Sequence, residues 1–189
     1  MGLTLRRGFK TEAESYARDF RQELGLRPVA PLDMFRLADH LAIPAFALSA
    51  IKDEIHPVNY STLTATKKSP LSALTFFRGR YRAIVFNDTH APTRQQSDLA
   101  HELSHAILDH PPSGLTDESG GRHYNRVLEE EANCLAGALL VPRDAAISIV
   151  ASGRSLEEAS EQYNISVAMM RMRINQTGAR KIMFRAGGA

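Results

Sequence analysis

The sequence predicts an α+β fold, with helices packed on a small, mainly antiparallel sheet and a helix-turn-helix segment at the C-terminal end. Apolar residues recur at helical spacing before residue 42 and after residue 93, whereas residues 43–86 contain short runs typical of strands. A further pair of helical patterns follows Gly153. Because 189 residues can bury one good core, we expect one main domain over residues 1–150 and a helix-turn-helix segment with a basic tail over residues 151–189.

Two amphipathic helices are predicted in the N-terminal region. Apolar side chains recur every three or four residues over residues 11–24, and Gly25 ends this pattern. The second helix is expected to begin near Pro31, because proline favours the first helical turn, and to end before Pro44. We expect both helices to cover the core.

Three short segments in the middle of the chain have the composition of strands, at residues 43–48, 71–77 and 81–86. Gly79 lies in the short connection between the last two, which predicts a hairpin. The residues from 51 to 69 are expected to loop beside the resulting sheet.

A third and a fourth helix follow the predicted hairpin. The third is expected to start at Thr93, with Thr93 and Gln96 forming a capping box, and to stop at Pro111. After a loop, the fourth helix is expected to cover residues 124–140, where Pro142 closes it.

The C-terminal segment shows a helix-turn-helix pattern. Ser155 as the N-cap and Glu158 three residues later predict a capping box at the start of a helix over residues 156–163. A tight turn over residues 164–166 is expected to lead into a second helix over residues 167–175.

The sequence predicts neither a secretory signal nor a transmembrane helix. The first ten residues become charged before the apolar run of a secretory signal could develop. No apolar stretch approaches the roughly 20 residues that span a bilayer. The single cysteine, Cys134, excludes an internal disulfide and a multi-thiolate zinc site, and it fits a reducing compartment. We therefore expect a cytoplasmic protein with no membrane partner, in which any metal is held by histidine and carboxylate groups.

The segment His101-Glu102-Leu103-Ser104-His105 carries the chemistry that the sequence predicts. Two histidines four residues apart on a helix project from one face and can share a metal ion. Catalytic zinc takes three protein ligands and keeps a fourth position for water, so a third ligand must come from elsewhere in the chain. Glu102 is then expected to act as the general base that takes a proton from this water.

The third ligand is expected at the start of the fourth helix, where residues 129–131 are all glutamate. At about 100° per residue, Glu130 points away from the apolar side of this helix, whereas Glu129 and Glu131 flank that side. Asn133 lies one turn after Glu129 and could orient a liganding histidine. Glu129 is therefore the preferred third ligand, and Glu131 stays open as the alternative.

Other polar residues near these segments are harder to assign. Stabilisation of an oxyanion would need a separate donor, for which Arg122, His123 and Tyr124 are candidates by type and position. Nothing in the sequence selects among these three. His90 and His110, like His123, have no identified partner and are expected at the surface.

Two stretches of the chain resemble the ImmA/IrrE metallopeptidases of bacteria and their mobile elements. The first runs from Thr93 to His105, and the second, which runs from Glu129 to Pro142, makes the match specific because an isolated HExxH is common by chance. More loosely, the similarity extends to the N-terminal helices and the hairpin. The chain departs from the common family pattern at four positions, none of which is an expected ligand: Ser97, Ser104, Leu135 and Val141.

The resemblance implies a zincin-like peptidase core with Zn²⁺ as cofactor, an attached helix-turn-helix segment, and an Xre-like transcriptional repressor as the protein substrate. Carried over position by position, it implies His101, His105 and Glu129 as metal ligands and Glu102 as the catalytic base. The expected function is therefore a zinc-dependent endopeptidase that acts in transcription regulation and stress response. Its substrate is expected to add a strand at the sheet edge near residues 84–87.

A second hypothesis is a non-enzymatic DNA-binding or antirepressor protein in which the metal is structural. Arg171 and Arg173 of the helix-turn-helix segment would then contact phosphates. The net charge of +2 is too small to indicate a nucleic-acid binder on its own. Glu102 favours the peptidase, because a purely structural site needs no base.

Overall fold

The computed structural model describes residues 5–65, 71–79, 81–111 and 125–187. Within these ranges the chain combines helices with one three-stranded sheet, which confirms the α+β class. The helices are α1 Phe9–Glu23, α2 Met34–His40, α3 Pro57–Thr64, α4 Pro92–Ile107, α5 Arg126–Leu140, α6 Arg143–Ala151, α7 Leu156–Gln162, α8 Val167–Thr177 and α9 Ala179–Gly187. The strands are β1 Ala45–Ala47, β2 Ala73–Arg78 and β3 Tyr81–Phe86, and a 3-10 helix covers Leu48–Glu54.

The sheet has the strand order β1-β3-β2, so β3 is central. β2 and β3 form the predicted antiparallel hairpin, in which Thr75 lies opposite Ile84. β1 pairs with β3 in parallel, with Ala45 opposite Ile84 on the other side. The sheet is therefore mixed, and its longer pairing is the antiparallel one.

Several boundaries in the first half of the chain differ from the prediction. α2 begins at Met34 rather than near Pro31, because the carboxylate of Asp33 caps it by accepting a hydrogen bond from the backbone N–H of Phe35 at 2.7 Å. The prediction of a loop over residues 51–69 is wrong for most of that range, which contains the end of the 3-10 helix and all of α3. Pro57 opens α3 in its first turn.

The start of α4 also differs. Ala91 is its N-cap and makes no side-chain capping bond, so the predicted capping box between Thr93 and Gln96 is wrong. The Gln96 side chain is buried and accepts a hydrogen bond from the backbone N–H of Met34 at 2.9 Å. This tertiary partner ties α4 to the start of α2. α4 ends at Ile107, well before Pro111.

The hydrophobic core lies where α5 packs against both α4 and α1. Its fully buried members include Leu99, Leu103, Leu135 and Leu139, and the same cluster continues into α7 and α8. α4 and α5 each bury an apolar stripe in this core. The polar residues that flank the two stripes are therefore brought close together. Among the described helices, none alone is long and apolar enough to cross a membrane; α5 and α6 meet that test only as a pair bent by 49°.

The C-terminal region contains two helices that the sequence did not predict, α6 and α9. Pro142 both ends α5 and serves as the N-cap of α6. The capping box of Ser155 and Glu158 is present at the start of α7, as predicted. The assignment of α7 and α8 as a helix-turn-helix module, and the division of the chain at residue 150, stay predictions.

Arg173 fastens α8 to the rest of the fold. Its side chain is 4% exposed and donates hydrogen bonds to the carbonyl of Val141 at 2.9 Å and to the carboxylate of Glu14 at 2.8 Å. Gly137 on α5 leaves room for it, since a Cβ there would lie 2.9 Å from Arg173 Cδ. The predicted contact of Arg173 with phosphates is therefore wrong, because its guanidinium is buried inside the protein.

Candidate metal centre

Two helices bring together three side chains that could hold a metal ion. His101 and His105 lie one turn apart on α4, and their Nε2 atoms are 3.1 Å from each other. Glu129, in the first turn of α5, faces both rings: its Oε2 lies 3.4 Å from Nε2 of His101, and its Oε1 lies 3.5 Å from Nε2 of His105. All three side chains are partly exposed, so solvent reaches the cluster.

The spacing and chemistry of these donors suit zinc. Ligands placed tetrahedrally at about 2.1 Å from a zinc ion lie about 3.4 Å from one another. The three separations here, 3.1, 3.4 and 3.5 Å, are close to that edge length. Burial lowers the pKa of His105 to about 4, so its ring is neutral at pH 7 and has a lone pair for a metal.

The packing of α5 separates the three glutamates of residues 129–131. Glu130 pairs with Arg126 of the same helix at 2.7 Å. Glu131 is 7% exposed and turns away from the two histidines of α4, toward Arg6 at 2.9 Å and His110 at 3.6 Å. Glu129 is thus the glutamate of this run that lies against His101 and His105.

Glu102 lies between the two histidines in sequence and contacts the sheet. The hydroxyl of Thr75 on β2 donates a hydrogen bond to Oε2 of Glu102. Burial raises the pKa of Glu102, while the bond from Thr75 acts in the opposite direction. A carboxylate with a raised pKa is a stronger proton acceptor than an exposed one, which suits a general base. Thr75 was missed in the sequence, because nothing local links a strand residue to Glu102.

The prediction that His110 lies at the surface is wrong, and its contact with His105 was missed. It is 6% exposed, and its Nδ1 lies 2.9 Å from Nδ1 of His105. Asp109 has a left-handed backbone with φ of 51°, which turns the chain back on α4 at this point. The five-residue spacing from His105 was the available signal, although a helix continued to Pro111 would have pointed the two rings apart.

The predictions for Asn133 and His90 are wrong, and those for the oxyanion donors fall on residues outside the described ranges. Asn133 is exposed, and in the described part of the chain it makes no hydrogen bond to a histidine of α4. The side chain of His90 is 6% exposed and its Nδ1 lies 3.4 Å from Oδ2 of Asp98, so it is not a surface residue. The three candidate oxyanion donors fall outside the described residues: Arg122, His123 and Tyr124.

Comparison with known proteins places the site in a matched region. The profile of the IrrE N-terminal-like domain, peptidase M78, matches residues 56–175. A protein named radiation response metalloprotease IrrE from Deinococcus deserti is 34% identical over 93 residues, which are 46% of this chain and 33% of that protein. Its namesake from Deinococcus radiodurans is 30% identical over 99 residues, which are 49% of this chain and 30% of that protein.

The matched part thus spans about a third of the length of these curated relatives. The range matched by the family model, residues 56–175, contains both stretches that suggested the resemblance, Thr93 to His105 and Glu129 to Pro142. Because the profile covers more than half of the 189 residues, the chain belongs to the IrrE N-terminal-like family of M78 peptidases, the ImmA/IrrE family.

Proposed function

We propose that this chain is a zinc-dependent endopeptidase that hydrolyses a peptide bond in a regulatory protein. The observation that carries the proposal is the convergence of His101, His105 and Glu129, from two helices, beside the half-buried carboxylate of Glu102. The family model that matches residues 56–175 covers this cluster, and the curated relatives of the chain are named metalloproteases. A site that held a metal only for stability would have no use for such a carboxylate.

Each residue has a separate role in the proposed reaction. His101, His105 and Glu129 would hold the zinc, which when bound lowers the pKa of its water to about 7 and polarises the substrate carbonyl. Glu102 takes the proton from the attacking water and passes it to the leaving amine. Thr75 holds the carboxylate of Glu102 in one orientation through its hydrogen bond.

The proposed substrate binds as an extended strand along β2. The edge near residues 84–87, which the sequence suggested, is not free, because Ile84 is paired on one side with Ala45 and on the other with Thr75. Within the ranges that the structure describes, β2 pairs with β3 alone. A strand added to β2 would run past Thr75 and thus past Glu102.

The proposed partner is an Xre-like transcriptional repressor, so that cleavage alters transcription, in a stress response. This part of the proposal is supported by the family to which the chain belongs. The C-terminal segment from residue 151 would help to dock the repressor, because Arg171, Arg180 and Lys181 are exposed cations there. The reaction would take place in the cytoplasm, where such a repressor binds DNA.

The test uses the full zinc-loaded chain and a repressor encoded near its gene, with products identified by mass spectrometry. We expect cleavage at a defined bond, loss of cleavage after chelation, and recovery when zinc is returned. Glu102→Gln should keep one zinc per chain and lose cleavage, whereas Glu54→Gln, at an exposed glutamate of the 3-10 helix, should cleave normally. Cleavage by Glu102→Gln at the wild-type rate would contradict the proposal.

A further inference from the structure

A row of polar contacts runs from His105 away from the metal centre to the N-terminal segment. Nδ1 of His105 lies 2.9 Å from Nδ1 of His110. On its other side, Nε2 of His110 lies 3.6 Å from Oε2 of Glu131. The other carboxylate oxygen of Glu131 accepts a hydrogen bond from Nε of Arg6 at 2.9 Å. The row therefore joins α4, the residues after it, α5 and the segment before α1.

The protons of this row can be assigned from the role of His105. A neutral imidazole has one N–H, so a His105 that offers Nε2 to a metal carries its proton on Nδ1. That N–H must donate to Nδ1 of His110, which is therefore the unprotonated nitrogen of its ring. The proton of His110 then lies on Nε2 and faces the carboxylate of Glu131. One tautomer of each ring satisfies all of these contacts.

The surroundings hold the row in place. His110 and Glu131 are 6% and 7% exposed, so neither has much freedom to change its rotamer. Arg6 offsets part of the cost of burying the Glu131 carboxylate, and it also pairs with Glu12 at 2.8 Å. The guanidinium of Arg6 lies 4.8 Å from the ring centroid of Phe9, a fully buried residue of α1. The far end of the row is thus anchored to α1.

We propose that His110 is a positioning residue of the metal centre, which fixes the ring orientation of His105 and its Nδ1-protonated tautomer, while Glu131 and Arg6 hold His110. The proposal rests on the proposed function only in taking His105 as a zinc ligand. Residues that contact metal ligands in this way typically change metal affinity by about 10- to 100-fold when they are replaced. If His110 only filled space, its ring volume would affect zinc affinity and its nitrogen atoms would not.

Two matched variants separate positioning from filling. His110→Phe keeps the ring volume and removes the acceptor at Nδ1, whereas His110→Asn keeps an amide group near that position. Zinc affinity of the full chain is measured by competition with a chromophoric chelator. We expect His110→Phe to bind zinc about 10- to 100-fold more weakly and His110→Asn to recover most of that loss. His40→Phe, which replaces a histidine that contacts Glu23 on α1, should leave zinc affinity unchanged.

The tautomers are read directly from ¹⁵N chemical shifts of the histidine rings in the wild-type chain, with and without zinc. We expect protonation of His105 at Nδ1 and of His110 at Nε2 in both samples. Equal zinc affinity of His110→Phe and the wild type, or a His110 protonated at Nδ1, would overturn the proposal. Neither readout uses peptidase activity, so the expected proton pattern and weaker zinc binding by His110→Phe, in a chain that cleaves nothing, would reject the proposed function alone. A wild-type chain that binds no zinc would reject both proposals.

Discussion

The hydroxyl of Thr75 on β2 donates a hydrogen bond to the carboxylate of Glu102 on α4. This contact joins the edge strand of the sheet to the proposed general base. Burial raises the pKa of Glu102, and the bond from Thr75 acts against that rise because it favours the ionised form. Thr75 therefore affects both the orientation of the carboxylate and the pH range in which it can accept a proton.

Thr75→Val keeps the shape of the side chain and removes this hydrogen bond. We expect kcat to fall about 10- to 100-fold, since a bond to a charged group contributes about 1.5–3 kcal/mol and about 1.4 kcal/mol is tenfold in rate. The acid limb of the kcat/KM profile should move to higher pH, because losing the bond raises the pKa of Glu102 and only the ionised form accepts a proton. Thr62→Val, which removes a hydroxyl bonded to a carbonyl within α3, should change neither quantity. A shift of the acid limb to lower pH would contradict this account.

Replacing Glu129 or Glu131 by alanine tests which of them binds the metal. Glu129→Ala should lose stoichiometric zinc, because its carboxylate is the one that faces both histidines of α4. Glu131→Ala should keep one zinc per chain at lower affinity. Elemental analysis after dialysis measures both, with Glu161→Ala, at an exposed glutamate of α7, as the control. Zinc that is retained by the first variant and lost by the second would make Glu131 the ligand.

Arg173 and Arg171 lie two residues apart on α8 and should differ sharply in their effect on stability. Arg173→Met removes the donor to the buried Val141 carbonyl and the cation paired with the Glu14 carboxylate, so we expect a loss of about 3 kcal/mol in the free energy of unfolding. Arg171→Met, at an exposed position, should cost less than about 0.5 kcal/mol. Urea denaturation measures both values, and equal losses would show that the buried ion pair does not stabilise the fold.

Arg6 and Arg7 provide a matched pair at the far end of the row that begins at His105. Arg6→Met removes the cation beside Glu131, and we expect zinc affinity to fall about threefold, less than for a direct neighbour of a ligand. Arg7→Met, at the exposed adjacent residue, should leave zinc affinity unchanged. Competition with a chelator gives both constants. Equal zinc affinity of the two variants would show that Arg6 does not affect the metal centre.

The elements that could be predicted are those with a strong local pattern. α1 and α5 have long apolar stripes, β3 ends in the apolar run Ile84-Val85-Phe86 after a hairpin connection, and α7 starts with a capping box between Ser155 and Glu158. α3 and α6 are short helices that open at or after a proline and lack a long periodic stripe, so the sequence alone did not reveal them. Gln96 shows the opposite error, since a local capping pattern was overruled by a tertiary bond to Met34.

The sequence by itself determined the pairing of His101 with His105 and the place of Glu102 beside them, because spacing along one helix is a local property of the backbone. Tertiary structure decided which glutamate joins them and brought Thr75 and His110 to the site. These choices depend on how α5 docks on α4, how the sheet packs against α4, and where the chain turns after it. Such contacts join residues far apart along the chain, and they are set by the burial of apolar side chains rather than by any local pattern.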